Sequence, residues 1–259
     1  MMLTTSPNTQ RLHQQIAEQI ADLIRNRKFL RGNRLPAERE LAQQFAVSRP
    51  TIREALVALE IAGLIEVRIG SGAYVTTENS IAKNTTKVAD AGPSPFELLA
   101  ARRLVEPSCA ALAALTANKK DMAAIRDAFE LNERMINSSH WERLEADQQF
   151  HLRIVEATHN PTATRMVVGL WAGMFGPIFA VLSERTQVTQ KKLFTMQDHR
   201  TILSCLDRRD SAGASAAMLT HLVNAEIKLL RASVTPEERK RKSSGVSRRP
   251  ARAKRNPAQ

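Results

Sequence analysis

The stretch from Leu35 to Val75 constrains the chain most, because its apolar periodicity changes from helical to alternating within a few tens of residues. Leu35-Pro36 opens a helix reading AERELAQQF, with Pro36 near the first turn, where its missing N–H costs least. Ala46-Val47 makes a short turn. Ser48 then reads as the N-cap of a second helix, SRPTIREALVALEIAG. Pro50 falls in its first turn, Ile52, Leu56 and Leu59 point inward, and Gly63 ends it. The period then becomes two. Leu64–Arg68 and Ala73–Val75 read as short strands around Ile69-Gly70-Ser71-Gly72, a hairpin or wing. Upstream, Leu12, Ile16, Ile20, Leu23 and Ile24 form a helical stripe over residues 10–27, followed by a loop through Gly32.

Two helices joined by a tight turn, the second opening with polar and basic residues, form a helix-turn-helix. Arg49 and Arg53 are four apart and share a helix face, with Thr51 beside it. Such a helix end can enter the major groove, where arginine matches the paired acceptors of guanine. The run LPAERELAQQFAVSRPTIREALVALEIAGLIEVRIGSGAYV resembles the winged helix of the GntR family of transcription regulators. The resemblance implies that Arg39, Arg49 and Arg53 contact DNA. It also implies that Ser48 and Thr51 touch phosphate or base, and that Gly70 lets the wing approach the minor groove. Glu38, Glu40 and Glu54 are expected to brace arginines and caps. Two positions depart from the family pattern. Ala46 replaces the usual glycine, which predicts a slightly strained turn, and Ile69 occupies an often polar wing tip.

The fold expected is mainly α: an N-terminal winged helix-turn-helix (9–78), a polar linker (79–93), a C-terminal all-helical bundle (94–232) and a basic, disordered tail (233–259). The bundle's helices are expected at about 95–117, 119–137, 140–158, 161–184, 189–208 and 211–232. Breaks fall at Asn118, Asn137-Ser138-Ser139, Asn160-Pro161 and Asp210-Ser211. Gly169, Gly173 and Gly176-Pro177 are expected to kink or interrupt the fourth helix.

Within this half, Asp147 and His151 are four apart on one helix, and His199 and His221 lie on two later helices. Three imidazoles and a carboxylate suit zinc, nickel or another divalent first-row ion; without metal they would be buried histidines bonded to backbone or acids. Six helices after a GntR-type winged helix resemble the FadR-like branch, whose all-helical FCD-type effector domain often holds a metal. That resemblance implies Asp147, His151, His199 and His221 as the metal site, with zinc first and nickel or manganese as alternatives. It implies Arg102, in AARRLVE, as the residue that binds the carboxylate of a small organic acid effector. Arg103 and Glu106 are expected in surface or interhelix pairs, and His13, His140 and His159 as ordinary surface or cap residues. The resemblance further implies a homodimer reading an inverted repeat in double-stranded DNA, with repression relieved by ligand.

Of the net charge of +12, residues 236–259 carry +7, so the excess is a tail that either attracts phosphate or solubilises the chain. Cys109 and Cys205 sit in apolar-periodic stretches and read as core thiols of a reducing cytoplasm. No apolar run is as long as a membrane span, and the N-terminus has no apolar signal core. No general base is evident beside the metal residues, which argues against an enzyme. The rival classes are a metal-dependent enzyme fused to a DNA-binding module and a nucleoid-type binder driven by its tail.

Overall fold

In the computed structural model, which describes residues 11–68, 71–76, 92–187 and 192–231, Ile16, Ile20 and Ile24 line the buried face of α1 (Leu12–Arg25). That face packs on α3 (Arg49–Ile61), where Ile52, Leu56 and Leu59 are buried as their spacing predicts. Leu12, at the end of the stripe, is exposed. His13 is not a surface residue as expected: the first turn of α1 carries it into the core against α3.

Between them, α2 (Glu38–Gln44) starts where the Glu40 carboxylate accepts the Ala37 backbone N–H at 2.9 Å. The α2–α3 turn places Ala46 at φ +53, so the strain expected there is present. A side chain in left-handed geometry costs on the order of 1 kcal/mol. Ser48 caps α3, its Oγ accepting the Thr51 N–H at 3.2 Å. The wing is β1 (Ile65–Arg68) antiparallel to β2 (Gly72–Val75), with Ile65 opposite Val75 and Arg68 opposite Gly72. The segment just after Gly32 adds a rung to the wing, so Leu35, expected to open the helix, pairs with β2 and α2 begins only at Glu38. Leu35 N–H donates to the Ala73 carbonyl at 2.8 Å and Val75 N–H to the Asn33 carbonyl at 3.0 Å. Ile69 and Gly70, most of 79–93 and all of 233–259 fall outside the described residues.

The second half holds α4 (Pro95–Thr116), α5 (Lys119–Arg134), a 3-10 turn (Met135–Asn137), α6 (His140–Glu156), α7 (Pro161–Met174), α8 (Pro177–Gln187), α9 (Lys192–Asp207) and α10 (Ser211–Arg231). Its starts follow local chemistry. Ser94, Asn118, Ser139 and Asn160 each cap the helix that follows, and Asn118 and Ser139 complete capping boxes with Asp121 and Glu142. Each such cap contributes about 1 kcal/mol. The expected fourth helix is two: α7 and α8 meet at a 64° bend around Phe175-Gly176. Pro177 has no N–H to continue the ladder, and glycine before it permits the turn. Gly173 has a separate task. A Cβ there would lie 2.8 Å from Leu98 and from Pro93, so its absence lets α7 press against the start of α4.

Buried aromatic and aliphatic side chains from α4, α6, α7 and α10, among them Leu99, Phe150, Ile154, Trp171 and Leu222, fill the bundle. Among the described elements, α4 and α10 pack most extensively against each other. Cys109 and Cys205 are buried thiols, as expected. No single described helix is long and apolar enough to cross a membrane.

Candidate functional site

Asp147 and His151 project from the same face of α6, one turn apart, and meet His199 from α9 and His221 from α10. One ligand atom from each residue lies within 4.8 Å of the others. His151 Nε2 and His221 Nε2 are 3.2 Å apart, His199 Nε2 and His221 Nε2 3.3 Å, and His199 Nε2 and Asp147 Oδ1 3.1 Å. His151 Nε2 to Asp147 Oδ1 is the longest of these, at 3.9 Å. Ligands bound at about 2.0–2.1 Å in a tetrahedron stand about 3.3 Å from one another. The donor set therefore fits a first-row divalent ion.

The outer ring nitrogens support that fit. The Nδ1 of His151 lies 2.5 Å from Glu106 Oε2, which assigns the proton to Nδ1 and leaves Nε2 bare toward its neighbours. His221 Nδ1 points to Asp198 Oδ2 at 3.6 Å, and Asn224 Nδ2 donates to both oxygens of Asp198, at 3.1 and 3.3 Å. With its proton on Nδ1, His151 Nε2 has no hydrogen to donate toward His221 Nε2, and a cation held between the rings would take its lone pair. Burial lowers the pKa of His199. Burial, with His199 and His151 adding to it, pushes His221 down to about 3. Both rings are thus neutral near pH 7, the form that binds metal. Burial would raise Asp147, but the neighbouring histidines, His199 foremost, outweigh it and hold the carboxyl well below its ordinary range.

Arg102 lies beside this cluster. It is buried, ion-paired through Nε to Glu106 Oε1 at 2.7 Å, with a second contact from Nη2 to Oε2 at 3.3 Å. Its guanidinium stands 3.9 Å from the centre of the Trp171 ring. Glu106, expected in a surface or interhelix pair, makes an interhelix pair with His151 of α6 and is 0% exposed, because α4 turns it inward between Arg102 and His151. Burial would raise its pKa, yet Arg102 and His151 overcome that and hold it at about 2. Trp171 was not singled out from the sequence. Its Nε1 is buried without a hydrogen-bond partner. The i,i+4 spacing of Arg102 and Glu106 on an otherwise apolar helix was the available signal for that pair; Trp171 carried none. Arg103 pairs with Glu226 across to α10, an interhelix pair as expected. His140 Nε2 lies 2.8 Å from Ser183 Oγ, and His159 is exposed, 3.1 Å from Asp121.

At the other end of the chain, Arg39 and Ser48 are exposed, and Thr51 and Arg49 partly so. Ser48 Oγ and Thr51 Oγ1 are 2.8 Å apart at the start of α3. Arg53 is different. It is 4% exposed, with Nη2 donating to Glu38 Oε2 at 2.8 Å and Nε to Oε1 at 3.4 Å. Arg49 Nη2 stands 3.9 Å from the same Glu38 oxygen. Glu38 and Glu40 thus brace an arginine pair and a cap, as expected. Glu54 does neither locally: it is buried and bonded to Ser94, forty residues away. On the wing, the Arg68 guanidinium lies 4.5 Å from the centre of the Tyr74 ring.

Residues 12–75 match the family model described as bacterial regulatory proteins, gntR family, and residues 97–224 match the FCD domain. The chain is 39% identical over 235 residues to the Uxu operon transcriptional regulator of Escherichia coli (strain K12), covering 88% of this chain and 90% of that protein. It is 35% identical over 226 residues to the Exu regulon transcriptional regulator of the same organism, covering 85% and 84%. It is 30% identical over 212 residues to the galactonate operon transcriptional repressor of that organism, covering 78% and 90%.

Proposed function

From the premise that this chain belongs to the GntR family of bacterial regulatory proteins and is a DNA-binding transcription regulator with an FCD domain, we propose that it is a metal-dependent sensor of a small carboxylate. Four ligand atoms converging within 4.8 Å in the helical half carry this reading. Asp147, His151, His199 and His221 hold a divalent ion, zinc first, with nickel or manganese as alternatives. When bound there, such an ion would supply open coordination for an effector carboxylate. Arg102 and Trp171 Nε1 supply donors beside it. The galactonate operon repressor is named for a hydroxy acid, which favours hydroxy and sugar acids as the effector class.

In this reading residues 9–78 form the DNA-binding domain, 79–93 the linker, 94–232 the sensing and dimerisation domain, and 233–259 a basic tail. Arg39, Ser48, Arg49 and Thr51 meet DNA directly, and Gly70 lets the wing approach the minor groove. Arg53 serves the same surface by holding Glu38, so that α2 and the Arg49 end of α3 keep one geometry. Two copies read an inverted repeat. Exposed apolar side chains on the bundle support pairing: Leu104 is 81% exposed, and Leu115 and Met166 are also exposed. Effector binding lowers operator affinity by favouring one arrangement of the two heads.

The test is thermal unfolding of the full chain against a panel of small hydroxy acids, with and without prior chelation, followed by operator binding with the acids that act. A ligand of the native state raises the midpoint by mass action. Stabilisation that chelation removes, together with release of operator, is the result expected. A midpoint indifferent to both acids and chelator overturns the reading.

A further inference from the structure

The DNA-reading helix and the sensing domain share a buried polar junction. Glu54 sits on α3 one residue beyond Arg53, and its carboxylate leaves its own domain. It accepts hydrogen bonds from the Ser94 hydroxyl and from the Phe96 backbone N–H. Ser94 is the N-cap of α4, its Oγ also accepting the Glu97 N–H at 3.1 Å. His13 of α1 flanks the carboxylate, with Nδ1 3.8 Å from Glu54 Oε2. Both Glu54, 3% exposed, and Ser94 are shut off from water. α3 also packs against α8 of the sensing domain.

A carboxylate buried across a domain boundary is costly unless its bonds are kept, and the positive end of α4 is where those bonds and the peptide dipoles favour it. The Glu54 contact is therefore made well or not at all. The same helix then runs to the ligand cluster. At about 1.5 Å per residue, Arg102 and Glu106 stand roughly 12 and 18 Å along α4 from Ser94. Glu106 holds the outer nitrogen of His151. One rigid element thus touches the DNA-reading helix at its start and a metal-site histidine three turns later.

We propose that the Glu54–Ser94 contact is a latch that fixes the orientation of the winged helix on α4, so that displacement of α4 at the His151 end is carried directly to α3. Its trigger rests on the metal-sensing reading above; the docking itself does not. Removal of the Ser94 hydroxyl frees the winged helix to sample many orientations. Restoring a hydroxyl at that position restores a single one.

The experiment measures the distance between spin labels on cysteines introduced at Gln43 of α2 and Asp127 of α5, both exposed, while the native cysteines are buried. Labelled protein is diluted into unlabelled full-length chain. Ser94→Gly removes the donor but keeps most of the capping, because glycine is tolerated at an N-cap. Ser94→Thr keeps both. Each is measured chelated and with zinc, and tryptophan fluorescence reports zinc arrival, since Trp171 lies 5.3 Å from the His151 ring. One narrow distance is expected in the parent and in Ser94→Thr, shifted by zinc, with a broad distribution in Ser94→Gly that zinc does not shift. An unchanged narrow distance in Ser94→Gly overturns the latch. A parent distance indifferent to zinc while fluorescence responds overturns the transmission. If fluorescence does not respond to zinc, the metal reading fails, and the width in Ser94→Gly still decides the docking.

Discussion

Replacing Glu106 with alanine separates two roles that the buried carboxylate combines. In the folded protein it is paired with Arg102 and accepts from His151 Nδ1, with no solvent to replace either contact. Removal leaves the guanidinium buried without a counter-charge, which costs about 3–5 kcal/mol. It also releases the His151 ring from the acceptor that orients it, and such losses typically weaken metal binding about 10–100-fold. The two effects part company in Arg102→Met/Glu106→Ala. That variant has no orphaned charge, so most of the stability should return, but His151 still lacks its acceptor and metal affinity should stay low. Urea unfolding in the presence of chelator reads the first quantity, and zinc titration against a competing chromogenic chelator reads the second. Wild-type zinc affinity in Glu106→Ala, or recovery of both quantities in the double variant, would refute the assignment of Glu106 to the orientation of His151.

Arg49→Ala should weaken operator binding by about 10–100-fold, the worth of a lost bidentate base contact. Its unfolding and zinc affinity should match the parent, and unchanged operator affinity in a gel-shift titration removes Arg49 from the DNA surface. Ala46→Gly should raise stability by about 0.5–1 kcal/mol: relief of left-handed strain exceeds the added freedom of the unfolded chain. Equal or lower urea midpoints argue against strain at that turn. Burial, with Glu97 adding to it, raises Glu54 from 4.5 to about 7 against the pull of Ser94, the Phe96 N–H and Arg53. A carboxyl raised on folding binds its proton more tightly in the native state. Its contribution is therefore complete below about pH 4.5 and lost as pH rises through about 7, a change of order 3 kcal/mol. The stability of Glu54→Gln relative to the parent should rise across that window, and parallel pH curves for the two proteins count against the assignment.

Local order was legible in the sequence because it is decided locally. Ser48, Asn118, Ser139 and Asn160 announce helix starts through side chains that reach only two or three residues. The apolar stripes of α1 and α3 assign buried faces by period alone. The wing showed in its alternation, while Ala46 stood out as the misfit of its turn only through the family resemblance. Asp147 and His151 could be paired by spacing, but His199 and His221 joined them only through family resemblance, since nothing along the chain measures the distance between helices. Other features had no sequence signal of their own. The pairing of Asn33 and Leu35 with β2 depends on where α1 delivers the chain. The expected DNA-contacting arginine Arg53 is sequestered because α2 brings Glu38 against it. Glu54 looks like an ordinary solvated acid in the sequence and is buried beneath a neighbouring domain; Glu106 shows its i,i+4 spacing to Arg102, but nothing in the chain places it beside the histidines. By itself, then, the sequence determined elements, caps and candidate ligands, whose causes lie within a turn or two of chain. Only the tertiary structure decided which charges lose water and what they meet there, because burial and electrostatic pairing depend on distances through space between residues far apart in sequence.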